Sequence, residues 1–258
     1  MKVFFDSNVW RLIVTPSIFK NEKSIGSFKI IRQAIVDKKI QPFISKTTFT
    51  LEAIKKTDRK NILGNKKLKI ITNVSSQDGN KITTGFTIGG NKIIDFSNNP
   101  ILKRHYEDAY TLGFKVVGLA RIGMLNNDDI ENMTYKFEDH DFHLYMEKAG
   151  EIVRRIEEAG AGKSHLDKIG QKYHHLTFEG IKIAPESEKM NIDKATAEWA
   201  DGDSVASSIA LGCDYFCTRD VAKGAGNLSV FSMQNLRWLS EDYNFNSIAP
   251  EDLALKFL

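Results

Sequence analysis

The hydrophobic pattern of the first 74 residues predicts short strands that alternate with helices. Apolar runs predict strands over residues 2–6, 41–45 and 68–74, the last of them rich in isoleucine. Between the strands, apolar positions recur every three or four residues over 28–38 and 47–60, a spacing typical of helices. This β-α-β-α-β order indicates a parallel sheet, because parallel strands need a crossover connection that is usually helical.

A similar pattern returns in the last quarter of the chain. Apolar spacing predicts helices over 192–199 and 203–211, and Gly212 suits the end of the second helix because glycine tolerates a positive φ. Strands are predicted over 215–218 and 228–232. The last proline of the chain favours the start of a final helix, since proline is well tolerated at the first helical position.

The residues between these two parts follow a different pattern. Two β-prone runs within 82–96 flank Gly89 and Gly90, and this arrangement predicts a β-hairpin that turns at the two glycines. Helical spacing continues in three further segments, over 101–124 with a break near Gly113, 138–159 and 164–173.

Together these patterns predict an α/β fold with a central parallel β-sheet flanked by helices. Residues 1–74 form the first part of the core, and residues 191–258 form its second part and a C-terminal tail. Residues 75–190 are predicted to be an insertion that is mostly helical and carries the β-hairpin.

Composition is that of an ordinary globular protein, with 41% hydrophobic and 27% charged residues. No apolar run approaches the roughly 18 residues that span a bilayer. The first residues form a strand and not a basic leader with an apolar segment, so no export signal is expected. Cys213 and Cys217 bracket a strand and are too far apart for an easy disulfide. We therefore expect a cytoplasmic protein that does not enter a membrane.

Basic residues are concentrated in one segment, although the net charge is only +3. Residues 55–69 hold seven Lys or Arg side chains and a single acidic residue, Asp58. Such an excess can meet a polyanion, but it is equally typical of a solvated helix end and loop. The candidate contacts to RNA are Lys55, Lys56, Arg59, Lys60 and the later Arg219.

Four carboxylates stand where strands and helices of this fold converge. Asp6 ends the first strand, Glu52 lies in the first turns of the helix after the second strand, Asp203 opens the predicted helix before the late strand, and Asp220 ends that strand. Ligands of open α/β sheets bind at the carboxyl edge of the strands. Clustered carboxylates raise one another's pKa, and a divalent cation with oxygen ligands, Mg²⁺ or Mn²⁺, relieves the conflict. Such ions promote hydrolysis of phosphate esters.

Each of these acids also has an ordinary structural role to weigh. Asp203 could simply cap its helix, and Asp201, two residues earlier, competes with it as a ligand or as a supporting residue. Exposed glutamates such as Glu52 are common on helices. Asn8 and Thr218 lie beside the strand ends and complete the set of candidate residues.

Three segments of the sequence resemble the PIN-domain nucleases: VFFDSN, SKTTFTLEAI and DSVASSIALGCDYFCTRD. The resemblance covers about residues 1–74 and 192–235. It implies a PIN-like, Rossmann-related fold and a metal-dependent endoribonuclease activity, as in the toxins of toxin–antitoxin pairs and in RNA-processing nucleases. It carries the metal-binding and catalytic acids onto Asp6, Glu52, Asp203 and Asp220. Asn8 and Thr218 match positions that hydrogen-bond around the acidic pocket.

The chain departs from that family in its length, since typical members are about half as long and have no counterpart of residues 75–190. RNA is the expected substrate, and an antitoxin, another protein partner or a second copy of the chain remain open as partners. A non-catalytic RNA-binding or scaffold protein on the same fold is the main alternative. A phosphatase of the haloacid-dehalogenase type is disfavoured, because Asn8 stands where that chemistry needs a second Asp.

Overall fold

A computed structural model describes residues 1–19, 22–48, 59–64, 68–77, 81–90, 100–119, 121, 131–220, 226 and 229–258. The strands are β1 Lys2–Phe5, β2 Gln41–Ser45, β3 Leu68–Gln77, β4 Lys81–Gly90, β5 Lys115–Val117, β6 Tyr215–Cys217 and β7 Ser247–Ile248. The helices are α1 Ser7–Val14, α2 Ile25–Val36, α3 Arg59–Gly64, α4 Pro100–Leu112, α5 Asp139–Glu158, α6 Ser164–Gln171, α7 Thr177–Ile183, α8 Lys189–Ala210, α9 Met233–Tyr243 and α10 Pro250–Leu255. Short 3₁₀ helices cover Pro16–Ile18, Glu131–Met133 and Glu186–Glu188.

The central sheet is parallel throughout, in the order β5-β2-β1-β6-β7. β1 lies in the middle and pairs with β2 on one side and β6 on the other. The prediction of an α/β fold with a central parallel sheet flanked by helices is therefore confirmed. The two outer strands, β5 and β7, were not expected, and β5 comes from within residues 75–190.

Side chains of β1 alternate between two buried clusters, one on each face of the sheet. Val3 and Phe5 belong to the cluster that holds Trp10 of α1, whereas Phe4 belongs to the cluster that packs against α5 and α9. This alternation follows from the two-residue period of a strand. Because both faces are covered, β1 is almost entirely apolar, as expected for an inner strand of a parallel sheet.

The predicted break between residues 199 and 203 is wrong, because α8 is one continuous helix. Gly202 lies inside the helix, at a close contact with its neighbours. A Cβ atom on Gly202 would lie 3.1 Å from Cα of Gly162 and 3.5 Å from a side-chain carbon of Ile156. Gly202 therefore allows α8 to approach its neighbours closely. Asp203 is consequently an interior residue of a helix and does not open one. Gly212 ends the helical region with a φ of 67°, as predicted.

The third predicted strand does not join the parallel sheet. β3 pairs with β4 in a separate antiparallel hairpin, in a register that runs from Leu68 opposite Gly90 to Gln77 opposite Lys81. The predicted hairpin turn at Gly89 and Gly90 is also wrong, since both glycines are paired strand positions. β3 becomes polar after Val74, and an inner parallel strand buried on both faces requires a nearly continuous apolar run. Residues 91–96 lie outside the described residues.

Of the remaining predicted elements, two helices are confirmed, and two segments have a different structure from the one predicted. The helices predicted over 138–159 and 164–173 are confirmed as α5 and α6. After Gly113, whose φ is 95°, the chain enters β5 and not a second helix. Residues 229–232 form a turn and not a strand, because Ser232 caps α9 by accepting a hydrogen bond from the Asn235 N–H. In the described part of the chain, no helix is long and apolar enough to cross a membrane.

Helices α6 and α7 pack with their backbones in direct contact at two glycines, Gly170 and Gly180. A Cβ atom on Gly180 would lie 1.9 Å from the carbonyl oxygen of Gly170, and one on Gly170 would lie 2.3 Å from the carbonyl oxygen of Thr177. Gly64 of α3 makes a similar approach, since its Cβ would lie 2.7 Å from Cα of Lys182 in α7. These contacts require glycine and fix how α3, α6 and α7 pack together.

Candidate active site at the carboxyl edge of the sheet

Asp6 and Asp220 reach the same edge of the sheet because β1 and β6 are neighbouring parallel strands. Phe5 pairs with Cys217, and the Asp6 N–H continues the ladder by donating to the Cys217 carbonyl oxygen at 3.0 Å. Asp6 then begins α1 as its N-cap, with Oδ1 accepting a hydrogen bond of 2.6 Å from the Ser7 N–H. The helix cap therefore holds one oxygen of this carboxylate in place.

Thr218 connects Asp6 to Asp220. Its hydroxyl donates to Asp6 Oδ2 at 2.7 Å and accepts a hydrogen bond of 3.0 Å from the Asp220 N–H. Thr218 is fully buried. Both oxygens of Asp6 therefore have fixed partners, and the backbone that carries Asp220 is tied to the same group.

Asn8 makes a second link across the strand ends. Its Nδ2 donates to Asp220 Oδ2 at 3.1 Å, and its Oδ1 accepts a hydrogen bond of 3.1 Å from the Arg219 N–H. Asn8 lies in the first turn of α1, next to the capping Asp6. The structure therefore brings Asp6, Asn8, Thr218 and Asp220 together, as the sequence predicted. Asp6 is buried, whereas Asp220 is open to solvent.

The electrostatics of Asp6 reflect both its burial and the nearby acid. The pKa of Asp6 is raised to about 6, mainly by burial and in smaller part by the negative charge of Asp220. The hydrogen bonds from Thr218 and Ser7 oppose this shift, because they favour the charged form. Ionised Asp6 is therefore costly in the absence of a nearby positive charge.

Asp201, and not Asp203, faces these carboxylates. The pKa of Asp201 is raised well above its ordinary value, first by burial and then by the negative charges of Asp6, Glu198 and Asp220. Asp201 and Asp203 are two residues apart on one continuous helix, so their side chains are separated by a rotation of about 200° around the helix axis and lie on nearly opposite faces. Of the two acids considered for this position, Asp201 belongs to the acidic cluster, which we define as Asp6, Asp201 and Asp220.

Asp203 instead belongs to a buried ionic contact. Its Oδ1 lies 3.0 Å from Nη1 of Arg121, and its Oδ2 accepts a hydrogen bond of 3.3 Å from Thr47 Oγ1. Arg121 also pairs with Glu157 of α5. Burial raises the pKa of Asp203 to about 7, and the charge of Arg121 opposes that shift. This carboxylate is thus already neutralised by a partner from the protein.

Glu198 is a further acid near the cluster, and the sequence pattern did not predict it. Burial raises the pKa of Glu198, the Ser229 hydroxyl and the charge of His165 oppose the shift, and the charge of Asp220 adds to it. Its Oε2 is buried and has no hydrogen-bond partner among the described residues. The available signal was the spacing of Glu198 and Asp201, since residues three apart share a helix face. That spacing was obscured by the predicted break in α8.

The remaining candidate residues have different positions. Glu52, Lys55 and Lys56 lie outside the described residues. Two cations of the basic segment are buried in ion pairs: Arg59 lies 2.5 Å from Asp193, and Lys60 lies 2.7 Å from Glu186. These pairs tie α3 to the start of α8 and to the 3₁₀ helix before it. Arg219 is exposed, and its guanidinium lies 2.9 Å from Glu22.

The donor chemistry of the acidic cluster fits a divalent cation. Within the described ranges, no group of three or more Asp, Glu, His or Cys side chains is arranged as a metal site. The cluster nevertheless offers carboxylate oxygens, the ligands that Mg²⁺ and Mn²⁺ prefer. Burial and neighbouring negative charges raise the pKa of both Asp6 and Asp201, whereas Asp203, whose pKa is also raised by burial, is paired with Arg121. A cation in the acidic cluster would stabilise the ionised forms.

Comparison with known proteins identifies no family for this chain: no family model matches it, and no curated protein or solved structure matches it.

Proposed function

We propose that this protein is a Mg²⁺- or Mn²⁺-dependent endoribonuclease of the PIN-domain type that hydrolyses RNA phosphodiester bonds. The observation that carries the proposal is that Thr218 and Asn8 hold Asp6 and Asp220 together at the carboxyl ends of β1 and β6, with Asp201 close enough for the negative charges of both to raise its pKa. The three acids come from the ends of two neighbouring strands and from a helix packed beside them. A solvent-open acid beside two less accessible ones suits a phosphate group that approaches from outside.

Asp6, Asp201 and Asp220 would hold the cation. When bound, a divalent cation supplies an activated water and stabilises charge on the leaving oxygen. Asp6 contributes a carboxylate whose orientation is fixed by Ser7 and Thr218. Asn8 holds Asp220 at the entrance, so that an exposed side chain keeps one orientation.

The direct test is cleavage of a single-stranded RNA labelled with a fluorophore and a quencher, with Mg²⁺, Mn²⁺ or EDTA. We expect cleavage with either metal and none with EDTA. A DNA oligonucleotide of the same sequence tests the preference for RNA. Binding of RNA without cleavage in any divalent metal would instead favour the non-catalytic RNA-binding alternative.

Thr218→Val is expected to lower the cleavage rate about 10–100-fold, the usual loss when a group that orients a metal ligand is removed. Valine keeps the shape of threonine but cannot donate to Asp6 or accept from the Asp220 N–H. The measurement is kcat at saturating Mn²⁺. Thr218→Ser retains the hydroxyl and is expected to stay within about threefold of wild type. Equal activity of Thr218→Val and wild type would contradict the orienting role.

Binding of Mn²⁺ is expected to strengthen as the pH rises from 5 to 7. Because the pKa of Asp6 is about 6, a growing fraction of this group is protonated below that pH, and the cation must displace the proton. The same raised pKa also determines the direction in which the stability of the metal-free protein changes with pH. The folded state binds this proton more tightly than the unfolded state, so the contribution of Asp6 to stability falls as the pH rises from about 4 to 6.

Calorimetric titration of Mn²⁺ in two buffers of different ionisation enthalpy measures the protons released on binding. We expect more protons released at pH 6 than at pH 7.5. Asp6→Asn should remove part of that release, whereas Asp252→Asn, which changes an exposed acid of α10, should not. Proton release that does not depend on pH would argue against Asp6 as a ligand.

A further inference from the structure

A groove with no assigned role lies beside the C-terminal end of α1, between α2 and α4. It has a volume of about 840 Å³. We name it the α2–α4 groove and define it by Ile25, Lys29, Arg32 and Val36 of α2 and by Arg104 and Asp108 of α4.

The walls of the α2–α4 groove follow helical periodicity. Ile25, Lys29, Arg32 and Val36 are spaced by four, three and four residues, so they form one face of α2. On this face, the cations Lys29 and Arg32 lie between the apolar side chains Ile25 and Val36. Val36 is 54% exposed. The face is thus suited to a ligand with both flat apolar and anionic parts.

The charge of the α2–α4 groove is unbalanced. Lys29, Arg32 and Arg104 line it together with a single acid, Asp108. Arg32 donates from Nη1 to the Val14 carbonyl oxygen at 2.9 Å, which fixes its guanidinium at the end of α1. Lys29 and Arg104 are exposed, and no carboxylate in the described part of the chain pairs with either. Two cations are therefore free to neutralise an anion.

Helix α1 connects this groove to the acidic cluster. It begins directly after Asp6 and ends at Val14, which lines the groove. Eight helical residues span about 12 Å. Arg11, in the last turn of α1, is a further basic residue on the helix that runs from the cluster to the groove. A ligand seated in the groove is therefore only a few nucleotides from a phosphate at the cluster.

We propose that the α2–α4 groove binds nucleotides of single-stranded RNA that flank the phosphate at the acidic cluster. Lys29 and Arg104 would contact backbone phosphates, and the fixed guanidinium plane of Arg32 and the apolar side chains would pack against bases. The inference rests on the proposed function in that it takes RNA as the substrate. It also assigns backbone binding to cations other than Arg59 and Lys60, which are buried in ion pairs.

The test measures RNA binding separately from cleavage. The double variant Lys29→Glu, Arg104→Glu is made in the Asp6→Asn protein, and anisotropy of fluorescein-labelled 12-nucleotide oligo(rA) and oligo(rU) is recorded at several salt concentrations. We expect at least about a tenfold loss of affinity for both oligonucleotides. The slope of log K against log salt should fall by about 1.4, the value for two lost contacts to a single strand.

The matched control is Lys148→Glu, Arg154→Glu. It makes the same change of charge at two exposed positions of α5, on the opposite face of the sheet. We expect its affinity within about twofold of the Asp6→Asn parent. The milder pair Lys29→Gln, Arg104→Gln should give an intermediate loss, and circular dichroism with thermal unfolding checks that each variant is folded.

The outcomes separate this inference from the proposed function. If wild type cleaves RNA but the groove variant binds as tightly as its parent, the groove inference is wrong and the nuclease proposal stands. If the groove variant loses RNA binding while wild type cleaves with no metal, the groove inference stands and the nuclease proposal fails. Absence of RNA binding by the Asp6→Asn protein, or equal losses in the groove and control variants, would also overturn the groove inference.

Discussion

Asp201→Asn is expected to lower Mn²⁺-dependent RNA cleavage by about 10³-fold or more, a loss of about 4 kcal/mol of transition-state stabilisation. Asp6→Asn and Asp220→Asn should have effects of similar size. Each change replaces a charged oxygen ligand by a neutral amide, which weakens the cation site while keeping the shape of the side chain. Rates are measured with purified protein at saturating Mn²⁺, and Mn²⁺ affinity is measured by calorimetry.

Asp203→Asn is the most informative comparison, because it lies two residues away on the same helix. Asp203 pairs with Arg121 and faces away from the cluster, so cleavage should stay within about fivefold of wild type, with some loss of stability because a buried ion pair is broken. Asp252→Asn, on the exposed surface of α10, controls for the general loss of a charge. If Asp203→Asn is inactive and Asp201→Asn is active, the metal site must be assigned to Asp203.

Gly180→Ala is expected to destabilise the protein by about 3 kcal/mol or more, at the upper end of the usual cost of overpacking. The new methyl group would lie 1.9 Å from the carbonyl oxygen of Gly170, an atom of the main chain. No change of rotamer can relieve that overlap, so α6 and α7 must separate. The free energy of unfolding in urea measures the loss.

Gly150→Ala provides a control of the same chemical change. Gly150 lies inside α5, and a Cβ atom there would meet nothing within 4 Å. Alanine is favoured over glycine in helix interiors by about 1 kcal/mol, so this variant should be more stable than wild type. Similar stability of the two variants would mean that α6 and α7 are not held in close contact at Gly170.

The inner strands, and the acids that follow them, were predictable because each strand is marked by an apolar run in the local sequence. β1, β2 and β6 are apolar runs, and a parallel arrangement places the residues after β1 and β6 at one edge. This argument brought Asp6 and Asp220 together without any knowledge of side-chain positions. The outer strands could not be found in the same way, since β7 has only two residues and β5 falls within a segment of predicted helical spacing and depends on pairing with β2.

The choice between Asp201 and Asp203 depended on whether residues 192–211 form one helix or two. Two predicted helices, over 192–199 and 203–211, place Asp203 at a helix N-terminus, where a carboxylate is favourable. In the fold, Gly202 allows close packing against Gly162, and the helix continues. The error therefore arose because a tertiary contact outweighed the local preference of glycine. The acid that joins the cluster is consequently Asp201 and not Asp203.

The place of β1 in the sheet has a consequence for the order of events during synthesis. β1 is synthesised well before β6, because the hydrogen bond between Thr218 and Asp6 joins residues 212 positions apart. Until β6 has been made, one edge of β1 stays without its partner strand, and unpaired strand edges favour association with other chains. Contacts of such long range also slow folding. Asp6 and Asp220 can meet only after β6 has paired with β1, so a nascent or truncated chain that stops before β6 would carry no assembled acidic cluster.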